Sequence, residues 1–187
     1  ASYVLTPVAK RIATKFGILD FVDEPGGRKI HEQNTPLLGG LAIIIAFITA
    51  LLANMILDKE YLLLLVGGVI VALVSLIDDW RGLSARLKLG VQVAVVVVLI
   101  YEGVVLELFP VKTLWGYSLN CLFTVLWIVG ITNAMNFADG MDGLAAGLGA
   151  IIALFMGIVA FQTKQPLMGW VALSMLGSCL GFLPYNF

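Results

Sequence analysis

The chain has 187 residues, of which 60% are hydrophobic, 12% charged and 10% aromatic, whereas a soluble domain carries roughly 45–50% apolar and about 25% charged residues. That composition excludes an ordinary soluble domain. With 11 Lys and Arg against 12 Asp and Glu, the net charge of −1 offers no basic excess for phosphate-backbone contacts, so nucleic acid is not an expected partner.

In chain order, the opening Ala1 to Pro7 has no initiator Met and lacks the charged start and apolar core of a signal peptide. Ala1 to Val8 reads as what is left of a preceding helix. Residues 9–36 hold most of the early charge, and six charge-free stretches follow at 33–57, 61–77, 89–101, 113–138, 143–163 and 165–187. Crossing a bilayer core takes about 20 mostly apolar residues at ~1.5 Å rise each, with every backbone polar group satisfied inside the helix. Helices are therefore expected at about 37–57, 61–77, 89–109, 116–136, 143–163 and 166–184. The third reaches that length only if Glu102 and Glu107 approach the far interface, where Glu102 would snorkel or pair. The fold class is all-α, a polytopic transmembrane helix bundle of about six spans. It is read as one integral-membrane domain over 1–187, cut at both ends, because the chain stops at Leu183 to Phe187 just where a helix finishes.

Cys121 and Cys179 fall inside spans near opposite faces and read as small buried hydrophobes, not a disulfide. No repeat of 20–50 residues is present. Gly143/Gly147 and Gly177/Gly181 have the small-xxx-small spacing that lets helices approach closely, a packing signal and not a functional one.

Counting spans puts residues 1–36, 78–88, 137–142 and 185–187 on one side of the membrane. That side holds Lys10, Arg11, Lys15, Arg28, Lys29, Arg81, Arg86 and Lys88, against Lys59, Lys112 and Lys164 on the other. The positive-inside rule makes the first side cytoplasmic. Asp78, Asp79, Asp139 and Asp142 share it, and the opposite loops are short.

Three clusters carry chemistry. In Ser75 to Gly82, Asp78 and Asp79 are adjacent at a helix end, where like charges ~4 Å apart repel by about 4 kcal/mol at an effective dielectric near 20 and the macrodipole disfavours acids. A divalent cation, a shared proton, or Arg81, Arg86 and Lys88 can offset this, and a solvated terminus is the bland alternative. In Asn133 to Leu144, the side chains of Asn133, Asn136, Asp139 and Asp142 recur every third residue, each step rising ~4.5 Å along a helix. Gly140 and Gly143 are expected to break that helix and fold the track into a cup. Its oxygen ligands suit Mg²⁺, which binds through one or two protein groups plus substrate phosphates. For Asn133 an interhelical hydrogen bond explains the position equally well. The third cluster, Arg28-Lys29-Ile30-His31 before Gly39-Gly40, makes a weak anion site.

These clusters, in this order, resemble the polyprenyl-phosphate N-acetylhexosamine-1-phosphate transferases. The resemblance rests on Gly17 to Asp20 through Pro25, Arg28-Lys29-x-His31, Pro36-x-x-Gly39-Gly40, Asp78-Asp79, Gly82-Leu83-Ser84-x-Arg86-x-Lys88-Leu89-x-x-Gln92, and Asn133-x-x-Asn136-x-x-Asp139-Gly-x-Asp142-Gly-Leu144. It implies transfer of a sugar 1-phosphate, GlcNAc-1-phosphate in preference to phospho-MurNAc-pentapeptide, from a UDP-sugar to undecaprenyl phosphate. UMP is released, Mg²⁺ is required with Mn²⁺ as substitute, and the setting is the cytoplasmic face of the bacterial inner membrane, in cell-wall or lipopolysaccharide synthesis. It assigns Asp78, Asp79, Asp139 and Asp142 to catalysis and Lys29, His31, Arg86, Lys88, Asp139 and Asp142 to substrate. Asn136 and Asp79 go to the metal. Membrane lipid surrounds the protein, and a homodimer is compatible with it. The family's later Gly-Asp-x-Gly-Ser stretch and His loop are missing here, so these 187 residues are expected to be inactive by themselves.

Two competitors are weaker. A transporter subunit would hold its acids near the midplane on broken helices, and a CDP-alcohol phosphatidyltransferase would need Ala-Arg after Asp139-Gly140.

Overall fold

The computed structural model describes residues 1–16, 19–20, 35–36, 39–56 and 58–186. Seven helices run through them: α1 (Ser2–Phe16), α2 (Gly39–Ala53), α3 (Lys59–Arg81), α4 (Ala85–Tyr101), α5 (Leu114–Ala138), α6 (Leu144–Gln162) and α7 (Pro166–Phe182), the last closed by a 3₁₀ turn over Leu183–Tyr185. A two-residue antiparallel pairing sets Leu19 opposite Pro36 and Asp20 opposite Thr35. The chain is all-α and polytopic. Among the described residues four stretches are long and apolar enough to cross a membrane, Tyr61–Asp78, Leu114–Ala138, Leu144–Gln162 and Pro166–Tyr185. The other two expected spans are shorter. α2 has 15 residues, and α4 has 17 with Arg86 and Lys88 near its start.

The chain forms two compact units, Ala1–Leu57 with Ala138–Phe187, and Asp58–Phe137. In the first, α6 turns Ala146, Ala150, Ala153, Gly157 and Ala160 inward, all buried, against Gly169, Ala172 and Cys179 of α7. Lipid tails are as apolar as these side chains, so close backbone approach, and not exclusion of water, holds such helices together. A methyl group on Gly169 would sit 2.7 Å from the Phe161 ring, and one on Gly181 would sit 2.9 Å from the Tyr3 nitrogen in α1. Of the four glycines singled out by spacing, Gly181 makes such an approach, while nothing lies within 4 Å of a methyl on Gly177. α1 itself, 15 residues long, exceeds the short remnant expected from the sequence. Both cysteines are free.

In the second unit α3 packs on α4, with Gly67 against Val95. The expected helix over 89–109 stops at Tyr101. The Gly103 amide caps Ile100 O at 3.0 Å and Val104 N returns to Leu99 O at 2.9 Å, with Gly103 at φ +94°. Beyond it the chain lies along α5 in irregular form. Leu106 N donates to Thr124 Oγ1 at 2.9 Å, and Leu108 N and Phe109 N donate to Asn120 Oδ1 at 3.0 and 2.9 Å. Asn120 Nδ2 returns a bond to Phe109 O at 3.0 Å. Non-helical backbone away from water needs such partners. Asn120 and Thr124 are 0% and 1% exposed, and no feature of the local 102–113 sequence announces them. Glu102 pairs with Lys59 at 2.7 Å, and its carboxylate raises the lysine's pKa above the ordinary value. Outward-facing Val66, Trp127 and Phe155 give the unpolarised surface that lipid requires.

Candidate active site

The α3–α4 connection is built around Asp78. Gly82 ends α3 in the left-handed region at φ +66°, which glycine enters without a Cβ penalty, and its amide donates to Asp78 O at 2.7 Å. The next amide, Leu83 N, donates to Asp78 Oδ1 at 2.8 Å. Ser84 begins α4 in extended conformation as its N-cap, and one turn later Lys88 reaches back to place Nζ 2.8 Å from Asp78 Oδ2. Both carboxylate oxygens are thus engaged. A backbone N–H and an ammonium offset the unfavourable helix-terminus field. Of the ways to accommodate Asp78, the structure shows a basic partner, Lys88.

The same Lys88 Nζ donates to Asn136 Oδ1 on α5 at 3.0 Å. The Lys88 and Asp78 side chains are only 12% and 23% exposed. A carboxylate and an amide oxygen from two different helices therefore converge on one cationic nitrogen. One turn further along both helices, Asn133 Nδ2 donates to Gln92 Oε1 at 2.7 Å, so Asn133 makes an interhelical bond and joins α5 to α4. Gln92 is among the residues that carry the family resemblance, which assigns it no role. A lone glutamine inside an apolar run was the available signal.

Asp139 and Asp142 stand in the turn between α5 and α6, and Gly143 is left-handed at φ +69° before α6, so the helix breaks where Gly140 and Gly143 suggested. Asp139 is open at the molecular surface. Even so, protein crowded around its carboxyl removes enough water to raise its pKa above the ordinary carboxylate value, and the open surface limits that rise. Arg86 and Asp142 are exposed. The Asp79 side chain, Lys29 and His31 lie outside the described residues.

The oxygen set fits the implied Mg²⁺ in chemistry. Asn136 Oδ1 and a carboxylate oxygen of Asp78 are hard ligands already gathered around one positive centre. Among the described residues no three His, Cys, Asp or Glu side chains form a metal cage, and Mg²⁺ with substrate phosphates needs none.

Helices long enough to cross a bilayer, with charge confined to helix ends, define a polytopic membrane protein whose polar chemistry lies at the end of its spans. The chain belongs to glycosyl transferase family 4, whose family model matches residues 61–187. It is 39% identical over 98% of its length to a probable undecaprenyl-phosphate N-acetylglucosaminyl 1-phosphate transferase of Bacillus subtilis, covering 52% of that protein. It is 35% identical over its full length to a decaprenyl-phosphate N-acetylglucosaminephosphotransferase of Mycolicibacterium smegmatis, covering 51% of it. It is also 32% identical over 98% of its length to a phospho-N-acetylmuramoyl-pentapeptide-transferase of Staphylococcus haemolyticus, covering 63%. The chain spans about half the length of the first two relatives.

Proposed function

We propose that the protein transfers N-acetylglucosamine 1-phosphate from UDP-GlcNAc to undecaprenyl phosphate at the cytoplasmic face of a bacterial inner membrane, releasing UMP. The observation that carries this reading is the convergence of Asp78 and Asn136 on Lys88, a preorganised charge cluster at the end of a span. Both substrates bring phosphate there, one from the bilayer and one from the cytosol. Asp78 is the last residue of the Tyr61–Asp78 apolar stretch, an interfacial position that argues against a transporter with midplane acids.

In the proposed reaction an oxygen of the acceptor phosphate attacks the sugar-linked phosphorus, a new P–O–P linkage forms, and the bond to UMP breaks. The acceptor phosphate, with a second pKa near 6, is largely dianionic at neutral pH and needs little help from a base. Asp78, held by Leu83 N–H and Lys88, is then a positioning group. Lys88 holds phosphoryl oxygen, with Arg86, Lys29 and His31 contributing further positive charge. The family resemblance assigns Asp139 and Asp142 to the nucleotide. Mg²⁺, or Mn²⁺ in its place, held by Asn136 and an acid of the Asp78-Asp79 pair, would neutralise charge on the diphosphate and leaving UMP.

The test is transfer of radiolabelled GlcNAc 1-phosphate to undecaprenyl phosphate by the full-length gene product in bilayers. Lipid-linked label is expected with UDP-GlcNAc, is abolished by EDTA, and is not displaced by UDP-MurNAc-pentapeptide. Label transferred from the pentapeptide donor alone would move the assignment to the muramoyl branch.

A further inference from the structure

Gln92 is the only polar side chain of α4 between Lys88 and Tyr101, and it is 3% exposed. The orientation of its amide follows from its neighbour. Asn133 Nδ2 donates both to Gln92 Oε1, at 2.7 Å, and to Val129 O, at 2.8 Å. Val129 O is a carbonyl that only accepts, so the atom of Asn133 facing both must be nitrogen, and Gln92 must turn oxygen toward it. The Gln92 Nε2 group is then left buried with no hydrogen-bond partner among the described residues. Native proteins seldom leave such a donor unmade, because its lost hydration goes uncompensated.

Gln92 follows Lys88 by four residues, so the two share a face of α4, and Asn133 precedes Asn136 by three on α5. The polar strip that begins with Asp78, Lys88 and Asn136 therefore continues one turn deeper into the charge-free run of α4. Resting on the proposed reaction, we infer that Gln92 Nε2 is a substrate-binding donor for a phosphoryl oxygen lying one turn inward of the Lys88 ammonium. Two phosphoryl sources share that chemistry, the prenyl phosphate and the nucleotide diphosphate. A prenyl phosphate enters from the bilayer, so the inner donor meets its oxygen first.

Gln92→Glu isolates the donor. It keeps the shape and an oxygen for Asn133, but replaces the N–H groups by a second acceptor. Gln92→Met, uncharged and of similar volume, guards against a variant lost to misfolding. The full-length protein in nanodiscs would be titrated with farnesyl phosphate, farnesol and UDP, with binding read by native mass spectrometry and folding by thermal melting. The expected result is a loss of about tenfold or more in farnesyl phosphate affinity in both variants, with farnesol and UDP affinities unchanged and the melting temperature lowered by about a few degrees at most, as the altered Asn133 contact requires. A loss confined to UDP would equally support a phosphoryl oxygen partner and name the nucleotide as its source. Unchanged affinity for both, or an equal loss for farnesol, overturns the inference while leaving the proposed reaction standing. A wild-type protein that binds neither farnesyl phosphate nor UDP overturns the reaction and the inference together.

Discussion

At the scale of the residue, charge in this protein is held by sharing. Lys88 Nζ serves a carboxylate and an amide oxygen from two helices, so its removal would leave Asp78 Oδ2 without its partner in a half-buried place, at a cost of about 1.5–3 kcal/mol for the charged hydrogen bond lost, while the exposed Asn136 oxygen turns to water. Asp139 behaves in the opposite sense. Its native pKa is raised by loss of water, so the folded chain holds this proton more tightly than the unfolded one. The stability tied to this group is full below the ordinary aspartate range and is lost as pH rises through the raised native pKa. Asp139→Asn should accordingly melt higher than the parent at pH 7, by no more than about a few degrees. The gap should close as pH is lowered toward 4, which melting curves in detergent across that range would check. A gap that widened on acidification would reverse the assigned cause. The acids and Lys88 were legible as a site from their types and spacing. The pairing of Lys88 with Asp78 was one option among several, because which side chain reaches back depends on the left-handed turn at Gly82.

At the scale of the element, the sequence reads most clearly where periodicity and charge-free length decide the outcome. α3, α5, α6 and α7 follow from runs that admit no water-exposed backbone. The third expected helix failed over 102–109 for a tertiary reason. Val104 to Phe109 is apolar enough to continue a helix, but its backbone is satisfied by Asn120 and Thr124, 11 to 18 residues away. Local propensity contains no record of a partner on the next helix. Asn120→Leu should therefore free three hydrogen bonds to the segment and destabilise the protein by roughly 3 kcal/mol at about 1 kcal/mol per bond. Hydrogen exchange should rise at Leu108 and Phe109 while protection within α6 and α7 stays as it was. Loss of protection across the whole chain would give Asn120 a global role instead.

At the scale of the whole molecule, membrane residence was the plainest message of the composition. The span count was less secure, because counting charge-free residues does not separate α2 and α4, at 15 and 17 residues, from helices of full crossing length. Shorter segments can be accommodated by local thinning or by flanking side chains that reach the interface. The proposed cytoplasmic placement makes a direct prediction about sidedness. In a background lacking Cys121 and Cys179, Leu87→Cys should react with a membrane-impermeant maleimide only in inverted vesicles, and Lys112→Cys only in intact spheroplasts. Both are exposed positions at opposite ends of the α4–α5 passage. The reverse pattern would refute the orientation drawn from the positive-inside count, and labelling of both from one side would refute the crossing itself.

The turn at Gly82 to Ser84 bears on how the gene can change. Asp78 is fastened on one side to a backbone amide five residues later and on the other to a side chain ten residues later. One inserted residue would lengthen this non-helical turn by up to about 3.5 Å, enough to carry Lys88 off Asp78 and Gln92 off Asn133 in the same stroke. Substitutions can be sampled singly along this stretch, but its length is fixed: insertions and deletions between 82 and 84 should be absent from any library selected for activity, even where many replacements survive.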